Sequence, residues 1–287
     1  MQLPTIVNFK AYGDFVIACS VIKILKNSNN KILPELIVGQ HVRSLAIALG
    51  VDSAVTFVGD ESSLDVPAAF NVRKYGVTAG LKSLYGLQRS LGEQLKTPDV
   101  LFDRRGWREQ FISLGHNPSY LKRISGNIYL DYLEFYKDIG LKVFGPDSVA
   151  SRDMRTAIIV PGARMTHRVI PSAVIGNVAA ELQRRSISVK VALLQGEKFS
   201  IPSWVPVVRV ERSFSSLVSV VRSTDMLVSA DSLPAHLCEF YGILNFVFTP
   251  TPDWSKYWLP RSTFVQNGIS KFGELDAFKL WLDARLV

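Results

Sequence analysis

Short, almost wholly apolar runs alternate with amphipathic stretches along this chain, and the alternation starts over once near its middle. Thr5–Phe9, Glu35–Val38, Ala54–Val58 and Val100–Phe102 carry too little polarity for a strand with one wet face. They predict parallel strands covered by helices on both sides. Between them, Asp14–Leu25 places Phe15, Ala18, Cys19, Ile22 and Leu25 on one helical face. His41–Leu49 predicts a helix with Gly50 as a left-handed cap, and Ile128–Ile139 one ended by Gly140.

Residues 145–155 (GPDSVASRDMR) are polar, contain Gly and Pro, and have no period, as a linker would. After them the series resumes with strands at Ala157–Val160, Val189–Leu194, Val207–Val210, Met226–Val228 and Phe246–Phe248. Helices are predicted at Pro171–Arg184, Phe214–Arg222, Pro234–Tyr241 and Leu275–Leu286. The expected fold is α/β: two Rossmann-like, doubly wound parallel-sheet domains, 1–150 and 151–287, facing each other across a cleft. Ligands of such sheets bind at the carboxyl ends of the strands.

With 47% apolar and 20% charged residues the composition excludes a disordered tail, a collagen and a coiled coil. Lysine and arginine outnumber acidic residues by 8, which favours an anionic partner. Nucleic acid is not the expected one, because the aromatic stretch Trp254–Trp258 has only Lys256 interleaved. Cys19 and Cys238 lack metal or redox spacing and read as buried, reduced thiols. The first fifteen residues have no basic leader or apolar core, and no run of about 18 apolar residues occurs. The expectation is a cytoplasmic protein.

Three strand ends carry candidate chemistry. Ala11-Tyr12-Gly13-Asp14 follows the first strand; Gly13 permits a tight turn, and Asp14 reads either as a helix N-cap or as a general base. Pro161–Arg168 holds Arg164, Thr166, His167 and Arg168, either a phosphate clamp or a solvated basic loop. Ser229–Leu237 runs a strand end into a helix with Pro234 at its first position. There the helix start and Ser232 suit a pyrophosphate, and His236 is either a reaching ligand or a packed core residue. Arg104, Arg105 and Arg108 follow Asp103 at another strand end, as anion ligands or a solvated helix start.

No P-loop, no Gly-x-Gly-x-x-Gly and no Gly-x-Ser-x-Gly is present, which counts against P-loop nucleotidases, ordinary dinucleotide enzymes and α/β-hydrolases. Without an Asp-x-Asp pair, and with four dispersed histidines, neither a metal-chelating sugar-nucleotide site nor a zinc site is indicated.

In their order these segments resemble the heptosyltransferase-type glycosyltransferases of bacteria, which have the GT-B fold. Residues 8–14 (NFKAYGD) are similar to the family's first strand and Gly-Asp turn, and 99–106 (DVLFDRRG) to its "DLVIDLQG" segment. Residues 160–163 with Arg168 and Pro171 resemble "PGA…K-R-W-P". Residues 224–237 resemble "ADLVVTNDSGPMHL", with Leu233 where the family has glycine.

The resemblance implies a metal-independent, inverting transfer with no cofactor. Asp14 would be the catalytic base. Arg164, Thr166, Arg168, Asp231, Ser232 and His236 would bind the donor, and Gly13, Arg104 and Arg105 the acceptor. It implies ADP-heptose as donor by family default, with phosphoribosyl diphosphate or another sugar nucleotide as alternatives. The acceptor would be a surface glycan such as lipopolysaccharide core, O-antigen or capsule. Because such acceptors are often lipid-linked, peripheral attachment at the inner face of the cytoplasmic membrane is compatible with it. The rival reading is a catalytically inactive sugar-nucleotide-binding scaffold.

Overall fold

Leu3–Phe9 has no face that suits water, and in the computed structural model of the protein Thr5–Asn8 forms β1, buried along its whole length. The structure describes residues 2–59, 65–144, 154–259 and 267–286. The chain divides into two compact units, residues 1–144 and 145–287. The predicted boundary and most of the predicted linker fall in residues 145–153, outside the described residues.

In the first unit β1 is followed by α1 (Tyr12–Asn27), β2 (Leu36–Gly39), α2 (Arg43–Leu49) and β3 (Thr56–Val58). Then come α3 (Val72–Tyr75), α4 (Val77–Gln94), β4 (Asp99–Phe102), α5 (Trp107–Ile112), β5 (Asn117–Tyr120) and α6 (Ile128–Asp138). The five strands are parallel in the order β3-β2-β1-β4-β5. One layer of the core joins Val7, Ile37, Val100 and Phe102 to Leu84, Leu87 and Leu91 of α4. Gly50 closes α2 at φ 69°, as its position predicts.

In this unit α3, α4 and β5 escape the sequence pattern. In α4 the glycines Gly80, Gly86 and Gly92 lower the local helix propensity. Gly80 is nevertheless required, because a Cβ there would lie 2.8 Å from Val72 Cγ2. β5 (NPSY) is polar and contains Pro118, which an edge strand tolerates. The start of α1 also differs from expectation. Gly13 sits inside the first helical turn rather than in a strained bend, and Ala11 is the N-cap.

The second unit runs β6 (Thr156–Val160), α7 (Ser172–Arg184), β7 (Ser188–Leu194), β8 (Val207–Val210), α8 (Phe214–Arg222) and β9 (Met226–Ala230). α9 (Leu233–Tyr241), β10 (Leu244–Thr249), α10 (Pro252–Ser255), β11 (Gly268–Lys271) and α11 (Leu275–Asp283) complete it. Its six parallel strands take the order β11-β10-β9-β6-β7-β8. The core packs Ile159, Val191, Val228, Phe246 and Phe248 against Ile175, Val178 and Phe278. Asp225 ties the start of β6 to β9, accepting from the backbone N–H of Arg155 and Thr156 and from the Thr156 hydroxyl. That gives the aspartate of the Thr-Asp pair a structural duty. Cys19 and Cys238 are both buried, and burial pushes both thiols up. No described helix is long and apolar enough to cross a membrane.

Each sheet reverses direction once. The first winds outward from β1 to β3 and from β4 to β5; the second winds from β6 to β8 and from β9 to β11. Their switch points therefore lie between β1 and β4 and between β6 and β9, and ligands of open α/β sheets bind outside the strand ends at such points.

Candidate functional site

Both switch points carry the residues singled out by sequence. In the first unit, Asp14 follows β1 as the third residue of α1. Its Oδ2 accepts the Ala11 backbone N–H at 3.2 Å, so it closes the helix start from inside rather than capping it from outside. It makes no ion pair among the described residues. Burial, and next the nearby Asp103 carboxylate, push the Asp14 pKa up to about 6, against the opposing pull of Lys10 and Arg104.

Lys10 is itself committed. Its ammonium pairs with Asp103 and, at 2.9 Å, with Glu109 Oε1, and all three side chains are largely buried. Although burial works to raise the Glu109 carboxyl, Lys10 and Arg104 outweigh it and hold it below its usual range. The cation that pulls most strongly on Asp14 is thus shared between two other carboxylates, which leaves Asp14 with a basicity suited to taking a proton near neutral pH. Arg104 and Arg105 are exposed in the loop after β4, with Arg104 Nε 3.7 Å from Glu109.

In the second unit the loop after β6 and the start of α9 come together. Arg168 Nη1 lies 3.3 Å from Asp231 Oδ2, with side chains 24% and 9% exposed. Ser255 Oγ donates to the same Asp231 oxygen at 2.8 Å and lies 3.0 Å from Thr249 Oγ1. The carboxylate is therefore held from two sides and orients Arg168. Ser232 is the N-cap of α9, but its hydroxyl makes no capping bond; it donates instead at 3.3 Å to the carbonyls of Gly162 and Ala230. Among the described residues no side chain therefore caps the positive end of α9. Leu233, not Pro234, is the first helical residue, so the proline removes the second N–H and leaves the first available.

The sequence reading left His236 either a reaching ligand or a packed core residue. It is 7% exposed, and burial pushes its pKa down to about 4, so the ring is neutral at pH 7. Arg164 and Thr166 are exposed in the loop after β6. Thr166 borders a pocket of about 420 Å³ together with Gly162, Ala163, Glu197, Phe199 and Ser200. Glu197 is absent from the motifs and is a member of this site. Its Oε2 accepts the Leu194 N–H at 2.9 Å, and its Oε1 lies where a Gly162 Cβ would be only 2.7 Å away. Glycine at 162 is thus what lets the pocket floor and the Glu197 carboxylate approach. Among the described residues no group of three or more metal-ligating side chains comes together.

No protein-family model matches the chain, and no curated protein matches it in sequence. Solved structures do. The E. coli heptosyltransferase WaaC with ADP aligns at TM-score 0.63 and 11% identity, covering 99% of this chain and 100% of its own. A glycosyl transferase family 9 protein from Veillonella parvula gives TM-score 0.60 at 11% identity over 100% of this chain and 91% of its own. E. coli ADP-heptose LPS heptosyltransferase II gives 0.53 at 11%, over 100% and 98%. The chain thus has the two-domain Rossmann-like fold of the heptosyltransferase-type glycosyltransferases.

Proposed function

We propose that this protein is a metal-independent, inverting glycosyltransferase that moves a sugar from a nucleotide-linked donor to a bacterial surface glycan. The observation that carries the reading is Asp14: a partly buried carboxyl with a pKa near 6, at the switch point of the first sheet, with its neighbouring cation engaged elsewhere. The first unit then takes the acceptor and the second the donor.

Asp14 accepts the proton of the acceptor hydroxyl as that oxygen attacks the anomeric carbon. The bond from that carbon to the diphosphate breaks, the configuration inverts, and the leaving diphosphate carries away the negative charge. Arg168, oriented by Asp231, together with Arg164 and the start of α9, stabilises that charge. Ser232 and the neutral His236 contribute hydrogen-bond donors rather than a full charge. The pocket beside Gly162 and Glu197 receives the nucleoside, with Phe199 against its apolar surface and the carboxylate toward its hydroxyls. WaaC was solved with ADP, and this supports testing ADP-heptose first. The acceptor's lipid anchor would bring the enzyme to the inner face of the cytoplasmic membrane.

A thermal-shift panel with ADP, UDP, GDP, CMP and phosphoribosyl diphosphate, with and without Mg²⁺, tests the donor. A ligand at about 100 times its dissociation constant stabilises the native state by about 2.7 kcal/mol. One metal-independent hit supports the reading and names the leaving group; no shift with any of them favours the scaffold.

Two substitutions sharpen the test. Gly162→Val pushes a side chain into Glu197 and should weaken the nucleotide shift by at least about tenfold in affinity while leaving the unit around Asp14 untouched. The acid limb of the kcat/KM profile should fall near pH 6, because Asp14 must be ionised to accept a proton. Asp103→Asn should move that limb to lower pH by removing the neighbouring negative charge. A limb that stays in place would overturn the assignment of Asp14 as base.

A further inference from the structure

We propose that His41 is a positioning residue that holds Asp14 through the single peptide unit between Lys10 and Ala11. The proposal rests on the reading of Asp14 as the base. His41 sits in the short turn Gln40–Val42 directly after β2, the strand paired with β1, and is 4% exposed. Its Nε2 lies 2.8 Å from the carbonyl oxygen of Lys10. The N–H of that same peptide unit, carried by Ala11, donates to Asp14 Oδ2. One rigid plane therefore has the imidazole at one end and the carboxylate at the other.

A carbonyl can only accept, so Nε2 carries the proton of the neutral ring and Nδ1 is bare. Nδ1 is buried and has no hydrogen-bond partner among the described residues. Burial holds the His41 pKa below its usual value, against the opposing pull of the Lys10 carbonyl and Asp65, which keeps that one tautomer at pH 7. The ring has little room to slide. Tyr12 packs on it with ring centroids 5.7 Å apart, and a Cβ on Gly39 would lie 2.6 Å from Nδ1. The other polar groups of Lys10 are engaged too: its N–H donates to Asn8 Oδ1 at 3.2 Å, and its ammonium pairs with Asp103 and Glu109. The loop after β1 is thus fixed by His41 from the β2 side and by the two carboxylates from the β4 side. A donor on the peptide carbonyl polarises the amide and strengthens its N–H. That N–H favours the ionised form of Asp14 and fixes its orientation, with Oδ1 left to take the acceptor's proton. The charges acting on Asp14 are Asp103, Lys10 and Arg104, and a change at His41 leaves all three in place.

The test replaces His41 by phenylalanine, a flat ring without the donor, and by glutamine, whose amide nitrogen reaches the place of Nε2. With His41→Phe, kcat should fall about tenfold while both KM values stay within about twofold. The acid limb of kcat/KM should move up by about half a pH unit, because Asp14 loses a donor that favours its ionised form. His41→Gln should restore most of both. Gly39→Ala, which displaces the ring without touching the loop, should reproduce the His41→Phe effect. The Asp14 carboxyl, assigned in carbon NMR spectra by its loss in Asp14→Asn, should show the same shift in its own titration. A lowered melting temperature with limb and titration unmoved overturns the proposal, and so does a glutamine variant no better than phenylalanine. Should His41→Phe not fold, Gly39→Ala decides: a limb and a titration that stay in place overturn the proposal. If the titration shifts as expected while the parent protein transfers no sugar, the hold of His41 on Asp14 stands and the transferase reading alone fails.

Discussion

With Asp14 replaced by asparagine, transfer is expected to fall by about three orders of magnitude while donor affinity stays within about twofold. The same variant should melt higher than the parent at pH 8 and by a smaller margin at pH 5. In the unfolded chain Asp14 titrates near 3.8; the fold lifts it to about 6, first by burial and then through the charge of Asp103. Between those values the native state binds more protons than the unfolded one, so stability falls as pH rises through about 6. Asparagine never ionises and can still accept the Ala11 N–H. The expected gain at pH 8 is about 1–2 kcal/mol, a few degrees in a unit of this size. Calorimetry at the two pH values and a single-turnover transfer assay check both halves. A variant that is less stable at both pH values and keeps turnover would make Asp14 a helix-closing residue and nothing more.

Arg168→Ala should weaken donor binding by about a hundredfold, or about 2.7 kcal/mol, because one charged donor to the diphosphate is lost. It also leaves the largely buried Asp231 with fewer partners, so a stability loss of about 1–2 kcal/mol should accompany it. Arg168→Lys keeps the charge but not the planar fork and should recover part of the affinity. Titration calorimetry with the nucleotide identified by the thermal-shift panel separates the two effects. A lowered melting temperature with unchanged donor affinity would make the Arg168–Asp231 pair purely structural. Ser255→Ala should give a milder version of the same result, since it releases one side of Asp231 without removing any charge.

The strand series was legible because parallel strands buried on both faces must be largely apolar, and β1, β2, β9 and β10 are. α4 was not, because its three glycines dilute the helical signal and its reason for being a helix is the packing of Leu84, Leu87 and Leu91. Arg164, Arg168, Asp231 and Ser232 were legible as a group because each follows a strand end beside a turn. Glu197 and Ser255 carry no such mark. Glu197 joins the site through the close approach at Gly162, and Ser255 through its bond to Asp231; both depend on folding distant segments together.

The residue types and their positions along the chain were enough to place a carboxylate after β1, basic residues after β6 and a helix start after β9. Apolar periodicity and turn chemistry are local properties, and they survive in a bare sequence. The protonation behaviour of those groups was not readable there. His236 became a neutral imidazole and Asp14 a carboxyl with a pKa of about 6 because burial and neighbouring charge are sums over residues remote in sequence, such as Asp103 beside Asp14. Electrostatic energy depends on distance in space and on solvent access, and neither exists until the strands have taken their order in the sheet.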